Sequence, residues 1–415
     1  TIEGHNVKIF TDMIDENAIG QIKQLLSIDV FADKKIRIMP DVHAGAGCVI
    51  GFTGNLGERV IPNIVGVDIG CGMRVLNLGN VNDIDCHGFH EYIRANVPSG
   101  KIAREEKFGF KPLVGEEMGI YRQAKELVKE LYCYRELRDI SRINRSIGTL
   151  GGGNHFIELD KDNIGNVYLV IHTGSRNLGL QVANIYQEKA IKHLTDGADD
   201  LELRIREIIE EYKAAGRRNE LQDVIKKMRK EQQHTEPVLP SELCYVEGET
   251  REHYLHDMRI CQQWAVLNRK LISILLLKFF NGVGIKNEFE SVHNYISDDN
   301  MIRKGAISAE KEELCIIPLN MRDGSLICIG KGNTDWNCSA PHGAGRILSR
   351  SQAYEQITME DFESSMNGIY SESINEFTRD EAPMVYKPAE AIIDNIGETV
   401  TIETVIRPIF NFKAM

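Results

Sequence analysis

Alternating strand and helix signals joined by Gly-rich turns predict a mixed fold, α+β or α/β. Apolar runs of strand length meet turns crowded with Gly at 41–51 (DVHAGAGCVIG), 66–72 (GVDIGCG) and 149–159 (TLGGGNHFIEL). Segments with helical character lie between and after them, at 81–146 and 257–280. The chain has 415 residues, 42% hydrophobic and 27% charged, an ordinary composition for a folded protein. It exceeds the ~250–300 residues at which single cores stop growing, so two domains or one large domain with an insertion are expected.

A charged helix opens the chain, followed by a short strand at Ile36–Pro40. Residues 60–80 (VIPNIVGVDIGCGMRVLNLG) read as a strand, a tight turn and a second strand. Residues 81–146 read as mostly helical and charged, and Val167–Leu178 (VYLVIHTGSRNL) as a strand ending in a polar turn. Over 199–234, Leu201, Ile205, Ile208, Ile209 and Tyr212, then Leu221, Val224, Ile225 and Met228, recur at helical spacing around an Ala214-Ala215-Gly216 break. This predicts a charged helical hairpin inserted in the domain and packed upon it, with a coiled-coil partner site as the alternative. Residues 257–280 predict a long buried helix, Ser291–Ile296 a short strand or turn, and Ile316–Ile329 a hairpin around Arg322-Asp323-Gly324. The C-terminal third alternates helix and strand and ends in a strand at Thr399–Ile406.

The net charge of −12 argues against a chain coated in nucleic acid but permits a local basic pocket. Nine Cys without a Cys-x-x-Cys pair argue against both a disulfide framework and a zinc ribbon, which fits a reducing cytoplasm. The most apolar stretch, Leu271–Phe280, is short and contains Ser273 and Lys278, so neither a membrane span nor a secretory leader is expected.

His43, His155, His172, His293 and His342 sit in Gly- or Asn-rich turns beside apolar strands. A lone His in such a turn is usually structural, but five in one context suggest a shared cleft. Asp68-x-x-Cys71 adds a carboxylate and a thiol, and the mixed O/S/N set suits Mn²⁺, Zn²⁺ or Fe²⁺ better than Mg²⁺ or Ca²⁺. His342 lies in Pro-His-Gly-Ala-Gly-Arg, where small neighbours leave an imidazole open to a large reagent and able to form a phosphoramidate. Arg346 and Arg350 follow it, as Arg176 follows His172, and could hold phosphates, although a solvated helix face explains Arg346 and Arg350 equally well. Gly330-Lys331-Gly332-Asn333 looks like a phosphate cradle without Walker A spacing. Neither a Gly-x-Ser-x-Gly elbow nor a dinucleotide fingerprint is present, which counts against a serine hydrolase and a dehydrogenase.

Six motifs, in order, resemble the RtcB-type RNA ligases: Pro40-Asp41-Val42-His43-x-Gly45-x-Gly47, Gly66-Val67-Asp68-Ile69-Gly70-Cys71-Gly72, Gly148-Thr149-Leu150-Gly151-x-Gly153-Asn154-His155-Phe156, His172-x-Gly174-Ser175-Arg176, His293-Asn294 and His342-Gly343-Ala344-Gly345-Arg346. The resemblance implies one large α+β domain, with central sheets around a metal-lined cleft. It implies GTP and two Mn²⁺ per active site, and joining of RNA 3′-phosphate or 2′,3′-cyclic phosphate ends to 5′-hydroxyl ends in RNA repair or tRNA splicing. His342 would be the nucleophile that becomes guanylylated. Asp68, Cys71, His155, His172 and His293 would be metal ligands, with the cysteine shared. Asn154, Glu158, His293, Asn294, Ala344, Gly345, Tyr386 and Lys413 would contact the nucleotide, and Arg176, Arg346 and Arg350 RNA phosphates. The family's Pro-Gly-Ser-Met-Gly stretch is read as replaced by Cys328–Asn333, and Lys413 is followed by Ala414-Met415, marks of a divergent branch. An activating protein partner is compatible with this reading. Alternatives are a guanylyl transferase that caps 3′-phosphate ends without sealing, a metal-dependent cyclic phosphodiesterase, and a binding module without catalysis.

Overall fold

Seven strands form the sheet that organises the molecule. The computed structural model describes residues 2, 4–105, 108–195, 198–214, 217, 220–232 and 237–413. The spatial order in this sheet is β11 (Leu314–Asn320), β12 (Gly324–Gly330), β14 (Val400–Lys413), β5 (Phe156–Lys161), β6 (Asn166–Thr173), β4 (Gly72–Asn80) and β7 (Asn287–Val292). Every neighbouring pair in it is antiparallel. A second sheet runs β1 (Val7–Ile9), β2 (Ile36–His43), β3 (Ile50–Asn55), β9 (Met301–Lys304) and β8 (Asn294–Ile296), and β10 (Ala306–Ser308) pairs with β13 (Ser339–Pro341). The fold is α+β, as expected.

The helices are α1 (Glu16–Leu26), α2 (Cys86–Asn96), α3 (Glu116–Lys129), α4 (Ile140–Arg145), α5 (Arg176–His193), α6 (Ala198–Ala214), α7 (Leu221–Gln232), α8 (Gly248–Leu277), α9 (Arg350–Gln356), α10 (Met359–Ser365) and α11 (Ala389–Ile396). The long helix α8 buries Tyr254, Met258, Cys261, Trp264, Leu271 and Leu275 against α3, α5 and the sheet. It starts at Gly248, nine residues before the expected 257, because its first turns (GETREHYLH) are too polar to show the buried periodicity. In the expected hairpin, α6 and α7 pack on each other, with Ile205 buried and Ile208, Ile209, Val224 and Ile225 half-buried. Ala215, Gly216 and residues 218–219 and 233–234 of that segment lie outside the described residues.

Two strands outrun their expected ends, and each passes through a proline. The strand expected at Ile36–Pro40 continues to His43, and the one expected at Thr399–Ile406 continues to Lys413. Proline lacks an N–H donor and normally breaks a ladder. Here the register with β3 skips between Ile38 and His43, and the register with β5 skips between Pro408 and Phe410. The irregularity absorbs Pro40 or Pro408 and lets the chain carry on as strand.

Candidate metal centre and active site

Antiparallel pairing gathers the metal-binding candidates. Cys71 precedes the first residue of β4, His155 precedes the first residue of β5, His172 lies near the end of β6, and His293 follows β7. The starts of β4 and β5 pair with the end of β6, Met73 and Phe156 both facing His172, and Gly72 pairs with Val292. One edge of the sheet therefore holds all four side chains. Asp68 joins them from the turn before Cys71. Gly174 makes room for it: a Cβ there would lie 2.2 Å from Asp68 Oδ1.

The donor atoms form two groups sharing one thiol: Asp68, Cys71 and His155, and Cys71, His172 and His293. Cys71 Sγ lies 3.5 Å from His155 Nε2 and 3.3 Å from His172 Nε2. His155 Nε2 is 2.9 Å from Asp68 Oδ2, and the Nε2 atoms of His172 and His293 are 3.4 Å apart. The opposite nitrogens of two rings are held by carbonyls: His155 Nδ1 by Leu150 O at 2.9 Å, and His172 Nδ1 by Asn154 O at 3.1 Å. Such partners fix which nitrogen carries the lone pair and aim Nε2 inward. Burial, reinforced by neighbouring histidines, holds His172 and His293 well below the usual histidine range, in the neutral form that ligates. Burial pushes Asp68 upward, but the hydrogen bond and charge of His155 outweigh it and keep the carboxyl low. The set of one carboxylate, one thiol and three imidazoles fits transition-metal ions.

Two adjacent polar residues of α8, absent from the sequence expectations, brace this edge. Asn268 Oδ1 accepts from Gly148 N at 2.7 Å and from Thr149 N at 3.2 Å, and its Nδ2 donates to Gly174 O at 3.2 Å. The fully buried Arg269 donates to Gly70 O at 2.8 Å, Thr173 O at 2.9 Å and Glu290 at 2.9 Å. Arg269→Leu strips the Gly70 and Thr173 carbonyls of their buried donor and leaves Glu290 with Arg74 alone. It is expected to cost about 3–5 kcal/mol, read as a lowered urea midpoint.

His342 follows β13, and its ring centroid lies 4.8 Å from that of His293. Its Nδ1 is 2.7 Å from Asp41 Oδ2, and the same oxygen accepts from its backbone N at 3.1 Å. Asp41 is fully buried on β2. A carboxylate can only accept, so Nδ1 carries the proton and Nε2 keeps the lone pair. Gly345 (φ +76°) brings the loop against Asp41, where a Cβ would lie 2.1 Å from the Asp41 carbonyl oxygen. Asp41 belongs to a quoted motif but was given no role. The available signal was a carboxylate two residues before His43 in one Gly-rich stretch, which does not reveal His342 as its partner.

His342 and His172 line a cavity of about 940 Å³ that also holds Asn154, Glu158, Ala344, Gly345, Tyr386 and Lys413. At its far side Glu381 accepts from Lys413 Nζ at 2.6 Å and from Tyr386 OH at 2.7 Å. Burial pushes Glu381 up, but Lys413, Tyr386 and Arg346 reverse this and pull it down to about 2. A lowered carboxyl stabilises above its unfolded value, near 4.5, and loses that contribution as pH falls toward 2. The shift corresponds to about 3 kcal/mol. Glu381→Gln is expected to lower stability at pH 7 and to flatten its decline between pH 4.5 and 2, measured as urea midpoints across pH. Glu158 goes the other way: burial, only partly offset by Asn411 and Lys413, pushes it up to about 7.

Other expected site residues sit elsewhere or are already engaged. Arg176 does not line the cavity; its guanidinium donates to Thr149 Oγ1 and Gly100 O on the Asp68 side. Asn294 bridges Asp68 O and Gly305 N between the two sheets. Arg346 lines the cavity, but its guanidinium is taken up by Leu348 O, Asp380 O and Glu381. Arg350 is more than half exposed at the mouth, 3.1 Å from Asp380. The stretch Cys328–Asn333, read as the counterpart of Pro-Gly-Ser-Met-Gly and at Gly330–Asn333 as a phosphate cradle, does not line the cavity. It ends β12, where Lys331 and Asn333 bind the carbonyls of Gly397 and Glu398, and Pro318–Met321 lines the cavity instead.

An O/S/N donor set, buried except for the half-buried Asp68, stands beside an imidazole oriented by a carboxylate and meets the cavity through His172, which defines a candidate metalloenzyme centre. The chain belongs to the RtcB family: the family described as "tRNA-splicing ligase RtcB" matches residues 21–414. It is 27% identical to the RNA-splicing ligase RtcB of Escherichia coli strain K12, over 100% of this chain and 98% of that protein. It is 27% identical to a tRNA-splicing ligase RtcB of Aeropyrum pernix, over 86% and 82%. A tRNA-splicing ligase RtcB of Nanoarchaeum equitans is 25% identical over 93% and 89%. These identities make the chain a divergent branch of the family. Among the described residues, no helix is long and apolar enough to cross a membrane.

Proposed function

We propose that this RtcB-family RNA ligase consumes GTP to join an RNA 3′-phosphate, or an opened 2′,3′-cyclic phosphate, to a 5′-hydroxyl end. The observation that carries this reading is the Asp41–His342 pair, whose ring faces the cavity shared by Glu158, Tyr386 and Lys413. His342 Nε2 forms a bond to the α-phosphorus of GTP, and pyrophosphate departs. Asp41 holds the Nδ1 proton and balances the positive charge growing on the ring. A 3′-phosphate oxygen of the RNA then takes the GMP, which breaks the N–P bond and frees His342. The 5′-hydroxyl attacks the activated 3′-phosphorus and GMP leaves. Asp68, Cys71, His155, His172 and His293 would hold two Mn²⁺, whose charge would offset that of the phosphoryl oxygens.

Glu158 and Lys413 give the nucleotide end of the cavity one acceptor and one donor, the complement of a guanine edge with its N–H groups and carbonyl oxygen. Arg350 lines the cavity beside Asp380 and would meet RNA phosphate. The test is incubation with α-phosphate-labelled GTP and Mn²⁺, peptide mapping, then addition of RNAs with the stated ends. Label on the His342 peptide and sealed RNA are expected. Label without sealing would instead indicate a capping transferase. Opening of the 2′,3′-cyclic phosphate to a monoester with no labelled protein, with ATP also tried, would indicate a phosphodiesterase.

A further inference from the structure

A second cluster of metal-ligating side chains lies apart from the Cys71 centre, on the outer side of β14. His87 and His90 are three residues apart at the start of α2, where Asp85 caps the helix by accepting from Gly88 N at 2.8 Å. That spacing places both imidazoles on one helix face. Glu372 reaches both rings from the chain that crosses β14. Its Oε1 is 3.2 Å from His87 Nδ1, and its Oε2 is 3.3 Å from His90 Nε2. Glu91 adds a second carboxylate, and one donor atom each from His90, Glu91 and Glu372 lies within 4.8 Å of the others. His90 is buried beside the Phe412 ring, whereas His87 and Glu372 are exposed, so the cluster has a fixed floor and an open rim.

We propose that His90, Glu91 and Glu372 form a divalent-metal site for a zinc-class ion, with His87 or water completing it. Zinc bonds of ~2.0–2.2 Å in a tetrahedron put neighbouring donor atoms about 3.3–3.6 Å apart, close to the spacing of both imidazole–carboxylate pairs. An imidazole among carboxylates favours zinc over magnesium or calcium, and His87 at the rim adds a second. The adjoining chain gives the site a structural role. Tyr370 N donates to Ile409 O, and Asn411 N donates to Tyr370 O, so this segment is strapped to β14. Ser373, next to Glu372, donates from Oγ to Lys413 O at 3.1 Å and accepts from Lys413 N at 2.9 Å. An ion at the cluster ties the strap to α2 and steadies the strand end that carries Lys413 into the cavity.

The test uses the full chain stripped of metal, dialysed against zinc alone and assayed for bound zinc, as wild type, His87→Ala/Glu372→Gln, Cys71→Ala and their combination. Both residues of the first variant are exposed, and unfolding in chelator checks that it folds as wild type. The expected result is about one zinc fewer in the double variant than in wild type, with the losses adding in the combination. Zinc should also raise the melting temperature of Cys71→Ala, and that rise should vanish in the combined variant. Equal zinc content in wild type and His87→Ala/Glu372→Gln overturns the proposal and leaves the cluster an imidazole–carboxylate hydrogen-bonding pair. Zinc content in Cys71→Ala equal to that of wild type would instead count against the centre at β4, independently of this site.

Discussion

His342→Ala is expected to abolish covalent labelling by α-phosphate-labelled GTP while leaving manganese uptake unchanged. The separation follows from geometry. His342 belongs to neither donor group, yet its ring stands beside His293 and lines the cavity shared by Glu158, Tyr386 and Lys413. Loss of a nucleophile leaves only residual catalysis, so sealing should fall by at least ~10⁴-fold. Asp41→Asn makes the finer test. An amide can donate to Nδ1 and so stabilise the tautomer with its proton on Nε2, where no lone pair remains for attack. A loss of ~10²–10⁴-fold in labelling is expected, with manganese content intact. A stable GMP adduct on His342→Ala, mapped to another residue, would refute the nucleophile assignment. Loss of manganese from either variant would show that this imidazole serves the metal instead.

The metal candidates were legible in the sequence because each sits in its own short motif beside a strand. Antiparallel pairing then had only one way to use them: strand starts and strand ends meet at one edge, as Phe156 and Met73 meet His172. The Asp41–His342 pair was not legible, since it spans 301 residues and joins two different sheets. Asn268 and Arg269 were hidden for another reason. On a helix read as buried and apolar, polar residues look like interruptions, yet these two satisfy the loops that carry Asp68, Cys71 and His172. Arginines were the least legible of all. Arg346 follows the histidine motif in the manner of a phosphate ligand, but a buried carboxylate and two carbonyls already occupy it. Sequence spacing reports proximity along the chain, whereas engagement depends on what the fold packs against the guanidinium. The ends of β2 and β14 were missed because proline stops a strand in a local reading, and only the partner strand reveals the skipped register.

Cys71→Ala is expected to remove more metal than any other single ligand change. It is the one side chain common to both donor groups, so its loss leaves Asp68 and His155 on one side and His172 and His293 on the other. Asp68→Asn, in contrast, leaves the group of Cys71, His172 and His293 whole. Manganese bound after dialysis should therefore fall toward zero in Cys71→Ala and by about half in Asp68→Asn. Labelling with GTP should fail in Cys71→Ala even though His342 and Asp41 are untouched, because charge on the phosphoryl oxygens goes unbalanced. Folding is not the cause to fear: trimming one buried sulfur costs on the order of 1–2 kcal/mol, and Arg269 and Asn268 still brace the turns. Circular dichroism and the urea midpoint should confirm a folded chain. If Cys71→Ala retained two manganese ions at wild-type affinity, the thiol would be a structural neighbour of the histidines, and the metal reading of this edge would fall with it.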